Sequence, residues 1–76
     1  MIVSIFPNPA VNELLITTNE GDKLNVELMN LNGDILKVEE INSATAKLDL
    51  TNYASGLYFV RLSDEKSSTI KKVIKQ

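Results

Sequence analysis

Along most of the chain, apolar and polar residues alternate with a period near two, and Gly, Pro, Asn and Asp interrupt the alternation at short intervals. That pattern predicts several short strands in an all-β domain. Residues 2–6 form a first strand, and Pro7-Asn8-Pro9 ends it, because two prolines remove two donors and bias their predecessors away from helix. Residues 13–18 make a second strand with Leu14 and Ile16 on one face. Asn19-Glu20-Gly21-Asp22 is a turn with Gly21 available for positive φ. The third strand covers 24–31, with Leu24, Val26 and Leu28 on one face. Met29 and Leu31 fall out of phase, which predicts a bulge or a partly covered outer face. Asn32-Gly33 fits a type I′ hairpin turn into a fourth strand over 35–40, with Leu36 and Val38 inward. Residues 46–50 are the fifth strand, with Leu48 and Leu50 inward.

Residues 51–56 read as a single helical turn, Thr51 as its N-cap and Gly56 as its left-handed stop, with Tyr53 tucked beneath. Residues 57–63 are the sixth strand, with Tyr58, Val60 and Leu62 opposite Leu57, Phe59 and Arg61. Asp64-Glu65-Lys66 turns the chain into a seventh strand over 68–75, with Ile70 and Ile74 on one face and Val73 on the other. Ile70, Val73 and Ile74 also fit a helical stripe, but a short segment rich in β-branched residues favours strand. Seven short strands predict a two-sheet antiparallel β-sandwich in preference to a closed barrel, for which strands of about five residues are short.

Composition narrows the function more than the fold. Seventy-six residues allow one domain spanning 1–76. There is no Cys and no His, so disulfides, thiolate metal sites and histidine-based catalysis have no residues to use. The net charge of −2 argues against nucleic acid as a partner, since phosphate neutralisation requires a basic surface. The charge is uneven: residues 1–60 hold three lysines against eight acids, whereas residues 61–76 hold Arg61, Lys66, Lys71, Lys72 and Lys75 against Asp64 and Glu65. A basic terminal strand reads as a solvated face or as a docking surface for an acidic partner. No apolar run approaches the roughly 20 residues of a membrane helix.

Candidate chemistry is sparse. Gly21, Gly33 and Gly56 are too far apart for a phosphate loop, and Asp22, Asp34 and Asp49 have no spacing that makes them converge. Asp22 and Asp34 with neighbouring Asn residues are oxygen donors for calcium, yet no EF-hand spacing is present and turn formation explains the same residues. The expectation is therefore no enzyme, no cofactor, no metal and no small-molecule substrate. Tyr58 and Phe59 are expected to pack. An edge strand of a small sandwich can also take up a partner strand.

In chain order the residues form a larger pattern. Phe6-Pro7-Asn8-Pro9 precedes Leu14 and Ile16. Val26-Glu27-Leu28-Met29-Asn30-Leu31-Asn32-Gly33 precedes Ile35-Leu36. Leu48-Asp49-Leu50-Thr51 and Gly56-Leu57-Tyr58-Phe59-Val60-Arg61-Leu62 follow, and the end is Lys71-Lys72-Val73-Ile74-Lys75-Gln76. Over nearly its whole length the chain resembles the type A C-terminal sorting domain of the bacterial type IX (Por) secretion system. Met29-Asn30 replaces a common aromatic-Asp pair, and Tyr53 a common aliphatic residue. The resemblance implies a non-enzymatic signal at the end of a larger secreted cargo protein. It implies an Ig-like sandwich, cargo passage through the periplasm, and recognition by the translocon and its shuttle proteins. It further implies removal by an outer-membrane sortase and delivery to the cell surface or medium. Lys71, Lys72, Val73, Ile74, Lys75 and Gln76 would then be part of the recognised signal, with Pro7, Asn8, Pro9, Gly33, Gly56 and Tyr58 as framework. Two other readings of the same chain are an Ig-like accessory module binding carbohydrate or protein, with Tyr53 or Phe59 as platform, and a dimerising module that pairs or swaps an edge strand.

Overall fold

The structure is a computed structural model that describes residues 2–7, 9–19 and 23–76. The expected turn at Glu20-Gly21-Asp22 and the central Asn8 of the Pro-Asn-Pro segment lie outside these residues, as does Asp22 as a calcium donor. Among the described residues there are seven strands and no helix: β1 Val3–Phe6, β2 Glu13–Thr18, β3 Leu24–Met29, β4 Ile35–Ile41, β5 Thr45–Asp49, β6 Gly56–Ser63 and β7 Ser68–Lys75. They form two antiparallel sheets, β1-β2-β5 and β4-β3-β6-β7. The sandwich predicted from alternation is therefore the fold, with β4 joined to β3 in the larger sheet.

The alternation explains the packing. Leu14 and Ile16 of β2 stand opposite Leu48 and Ala46 of β5. Leu24, Val26 and Leu28 of β3 share an inner face with Tyr58, Val60 and Leu62 of β6 and Val73 of β7. With Val3, Ala10, Ile41 and Leu50 these side chains form one buried cluster between the sheets. Successive side chains point to opposite faces of a strand, so each sheet contributes every second residue.

Three local expectations need correction. Leu36 and Val38 do not face inward: Val38 is 62% exposed, and Lys37, Glu39 and Ile41 occupy the inner side instead. The cause is a bulge. Lys37 opposes Leu28 while Ile35 opposes Met29, so Leu36 is an extra residue, and one extra residue moves every later side chain to the other face. The bulge anticipated from Met29 exists, but it sits in the β3–β4 pairing, and Leu31 is exposed in the following loop. Lys37 and Glu39 pair at 3.3 Å, an inward charged pair that blunts this edge strand against partner strands.

The β3–β4 turn is not type I′ either. That turn requires positive φ at both central residues, whereas Gly33 has φ 85° and Asn32 does not have positive φ. The connection is a three-residue loop. Gly33 N–H donates to the Asn30 carbonyl at 3.1 Å, and Asn30 N–H to the Asp34 carbonyl at 3.1 Å. Asn30 Oδ1 also accepts from the N–H groups of Asn32 and Asp34 at 2.9 and 3.0 Å. Asn30 thus organises the loop that the Asn-Gly pair alone is expected to form.

The segment between β5 and β6 contains no helical turn. Asp49 Oδ1 accepts from both the N–H and the hydroxyl of Thr51 at 2.9 and 2.6 Å, so Asp49, and not Thr51, is the local cap. Tyr53 N–H then donates to the Leu50 carbonyl at 3.1 Å, closing a single turn. Gly56 has the positive φ expected of it, at 151°, but as the first residue of β6 opposite Lys75.

Candidate functional site: the terminal strand and its clasp

β7 pairs with β6 along its full length, from Ser63 opposite Ser68 to Gly56 opposite Lys75. Its alternation sorts the six expected signal residues. Val73 is fully buried opposite Tyr58, and Lys71 and Lys75 are half-buried on the same inner side at the rim of the sandwich. Lys72, Ile74 and Gln76 are exposed. The expected signal is therefore a strand with one outward row of side chains, not a free tail.

The far side of the same strand end is also held. Ala10 forms a parallel bridge with Lys75. Ala10 N–H donates to the Ile74 carbonyl and Gln76 N–H to the Ala10 carbonyl, both at 2.8 Å. Ala10 is completely buried, so the residue following Pro9 anchors the chain there beneath the end of β7. No local pattern marks Ala10, because a single small residue after proline has no periodicity to read.

Tyr58 joins the two halves of this end. Its hydroxyl donates to the Ala54 carbonyl at 2.6 Å, four residues upstream. Its ring meets Tyr53 edge-on at a centroid distance of 6.2 Å. A tyrosine near the start of this strand, tied back to the preceding corner, is a feature of Ig-type sandwiches. Gly56 starts β6 at the same end, and Gly33 sits in the loop that leaves β3 beside Phe59. Pro7 and Pro9 are exposed there, and the Phe6–Pro7 peptide is cis. The fold thus gathers Pro7, Pro9, Gly33, Gly56 and Tyr58 with residues 71–76 at one end of the molecule.

The described aspartates serve turns. Asp34 accepts from Asn30 Nδ2 at 3.2 Å and Asp49 caps Thr51. Asp64 Oδ1 accepts from Lys66 N–H at 2.8 Å and from Ser67 N–H at 2.7 Å. Among the described residues no group of three or more acids is placed to hold a metal ion. The N–H groups of Lys66 and Ser67 hold the Asp64 carboxyl below its usual value near 3.8, and the Thr51 hydroxyl and N–H do the same for Asp49. Both groups therefore bind protons more readily when the chain is unfolded. Their contribution to stability is complete above about pH 4 and is lost as pH falls through the lowered folded values. Urea midpoints measured between pH 7 and pH 2 are expected to fall at the acid end, and less steeply in Asp64→Asn than in the parent.

A family model for the secretion system C-terminal sorting domain matches residues 4–76, nearly the whole chain, and the chain belongs to that family. No curated protein matches it. Among solved structures it is similar to PorZ of Porphyromonas gingivalis, described as an essential bacterial surface component of the type-IX secretion system, at 22% identity and a TM-score of 0.80. The superposition covers 97% of this chain and 11% of that one, so the chain matches a small part of that protein's length. That likeness supports the fold. The family assigns the role: a type IX C-terminal sorting signal, from a family that is in general non-catalytic, acting with the secretion machinery in export to the cell surface or medium.

Proposed function

We propose that this domain ends a larger cargo protein and carries it, once folded in the periplasm, to the outer-membrane translocon, where a surface sortase then removes the domain. The supporting observation is the family match over residues 4–76. The arrangement of β7 suits a sorting signal. Lys72, Ile74 and Gln76 present a fixed outward row, and the clasp at Ala10 holds that row to the rest of the sandwich. The domain itself performs no catalysis in this reading; shape and an ordered strand carry the message.

The test is transplantation. A signal peptide, a reporter and residues 1–76 are joined and expressed in a bacterium with a type IX system, and surface reporter is measured. Export is expected for the intact domain. Lys72→Glu is expected to reduce export several-fold with an unchanged unfolding midpoint, because an exposed substitution of this kind alters stability by only about 0.5 kcal/mol. Deleting 71–76 is not a clean test, since it removes the buried Val73. Export that persists when an unrelated β-sandwich replaces the domain would refute the reading.

A further inference from the structure

The two outer faces of the sandwich differ in kind. On the three-stranded sheet the outward positions are Ser4, Glu13, Thr17, Thr45, Lys47 and Asp49 with one apolar pair, Phe6 opposite Leu15, at its end, a mostly polar surface. An antiparallel sheet with one solvated face normally looks like this. On the four-stranded sheet the outward rows follow from the pairing: Ile35, Met29, Phe59 and Lys72 in one, and Val38, Glu27, Arg61 and Ile70 in the next, with Leu57 opposite Ile74 beyond. Ile35 is 52%, Val38 62%, Ile70 56% and Ile74 44% exposed. Met29 is buried yet stands apart from the central core, so its outward neighbours cover it. This face holds a second apolar cluster outside the molecule's interior, crossed by one ion pair, Arg61 to Glu27 at 3.2 Å.

We propose that this outer face is where the domain docks, and that its occupant is an apolar protein surface without a strong charge of either sign. The inference rests on the sorting function proposed above and names the chemistry of the partner that reads it. Charge makes the occupant apolar and not ionic: the outward charges of this face balance, Arg61 and Lys72 against Glu27 and Glu40, whereas Lys71 and Lys75 lie on the inner side. Size separates this occupant from a second copy. Four strands about 4.8 Å apart and about six residues long give a face on the order of 400 Å². A stable dimer buries about 800 Å² per partner, so a face of this size suits a transient contact. Half-buried Phe59, beside the covered Met29, supplies an aromatic contact of the kind favoured at binding surfaces.

Two readouts test this, one in cells and one on the purified domain. In the transplantation assay, Ile70→Glu and Val38→Glu are expected to lower export about tenfold, the loss of one well-packed contact. Ile70→Lys is expected to lose as much, because a charge of either sign interrupts the apolar contact. Thr17→Glu with Thr45→Glu, on the opposite sheet, is expected to export normally. If the parent exports and the Val38 and Ile70 variants behave like the Thr17/Thr45 control, this inference falls while the sorting function stands. On the purified domain the probe is anilinonaphthalene sulfonate, an apolar ring system with one negative charge, followed by amide shifts in NMR. Shifts are expected on the outward positions of β3, β4, β6 and β7, and binding is expected to weaken more in Ile70→Glu than in Ile70→Lys. Shifts confined to the cleft lined by Val3, Ser4, Ile5, Lys71 and Lys72 would overturn the proposal. So would sedimentation showing a dimer at micromolar concentration that Val38→Glu dissociates, since a second copy would then be the occupant.

Discussion

Leu48→Ala is expected to lower the free energy of unfolding by about 2–5 kcal/mol, the range for removing a leucine side chain from a packed core. Leu48 is 1% exposed, faces Leu14 across β2 and β5, and belongs to the one cluster that holds both sheets. The smaller sheet has only three strands, so its inner face has few residues to spare. At about 0.05–0.15 kcal/mol per residue, a domain of this size has between about 4 and 11 kcal/mol in total. The substitution therefore removes a large share of the stability, and some preparations will be partly unfolded at room temperature. Denaturant unfolding followed by circular dichroism measures it. A loss below about 1 kcal/mol, the scale of an ordinary surface change, would mean that the sheets do not pack as described.

Gly56→Val is expected to destabilise by about 1–3 kcal/mol through the backbone alone. Gly56 has φ 151°, a conformation that L-residues rarely adopt, and a Cβ placed on it would meet no atom within 4 Å. The cost is therefore conformational and not steric. Gly56→Ala should already incur most of it, with Val adding a β-branched increment. Gly33, with φ 85° and equally open surroundings, supplies the comparison: Gly33→Asn should be milder, since asparagine tolerates left-handed backbone better than valine or alanine. If Ala at position 56 proves harmless, the strand does not start in the conformation seen here.

The fold is legible in the sequence because the alternation is strong where both faces are decided. β2, β6 and β7 carry their buried residues where a period of two places them, down to Val73 opposite the Ile70 and Ile74 side. Legibility fails where one residue changes the phase. Leu36 is an extra residue opposite β3, and nothing in its type announces a bulge, so periodicity puts Val38 on the wrong face. Asn32-Gly33 carries a true signal for a hairpin and a false one for its geometry, because Asn30 competes for the loop through its own side chain. The short segment before β6 misleads for the same reason: the Asp49 carboxylate satisfies Thr51 and leaves no helix to cap. For the candidate site, Lys72 and Tyr58 can be placed from periodicity, whereas Ala10 cannot. Its importance lies in a pairing between segments remote in sequence, which a local pattern cannot encode.

That pairing makes the outward display of β7 a report on the state of the whole polypeptide. Ala10 and Gln76 are remote in sequence, and a contact that closes so long a loop tends to form after the local pairings do. Under the sorting role proposed above, a receptor that grips this corner inspects, in the same act, whether the domain has matured, and an unfolded copy offers it nothing to hold.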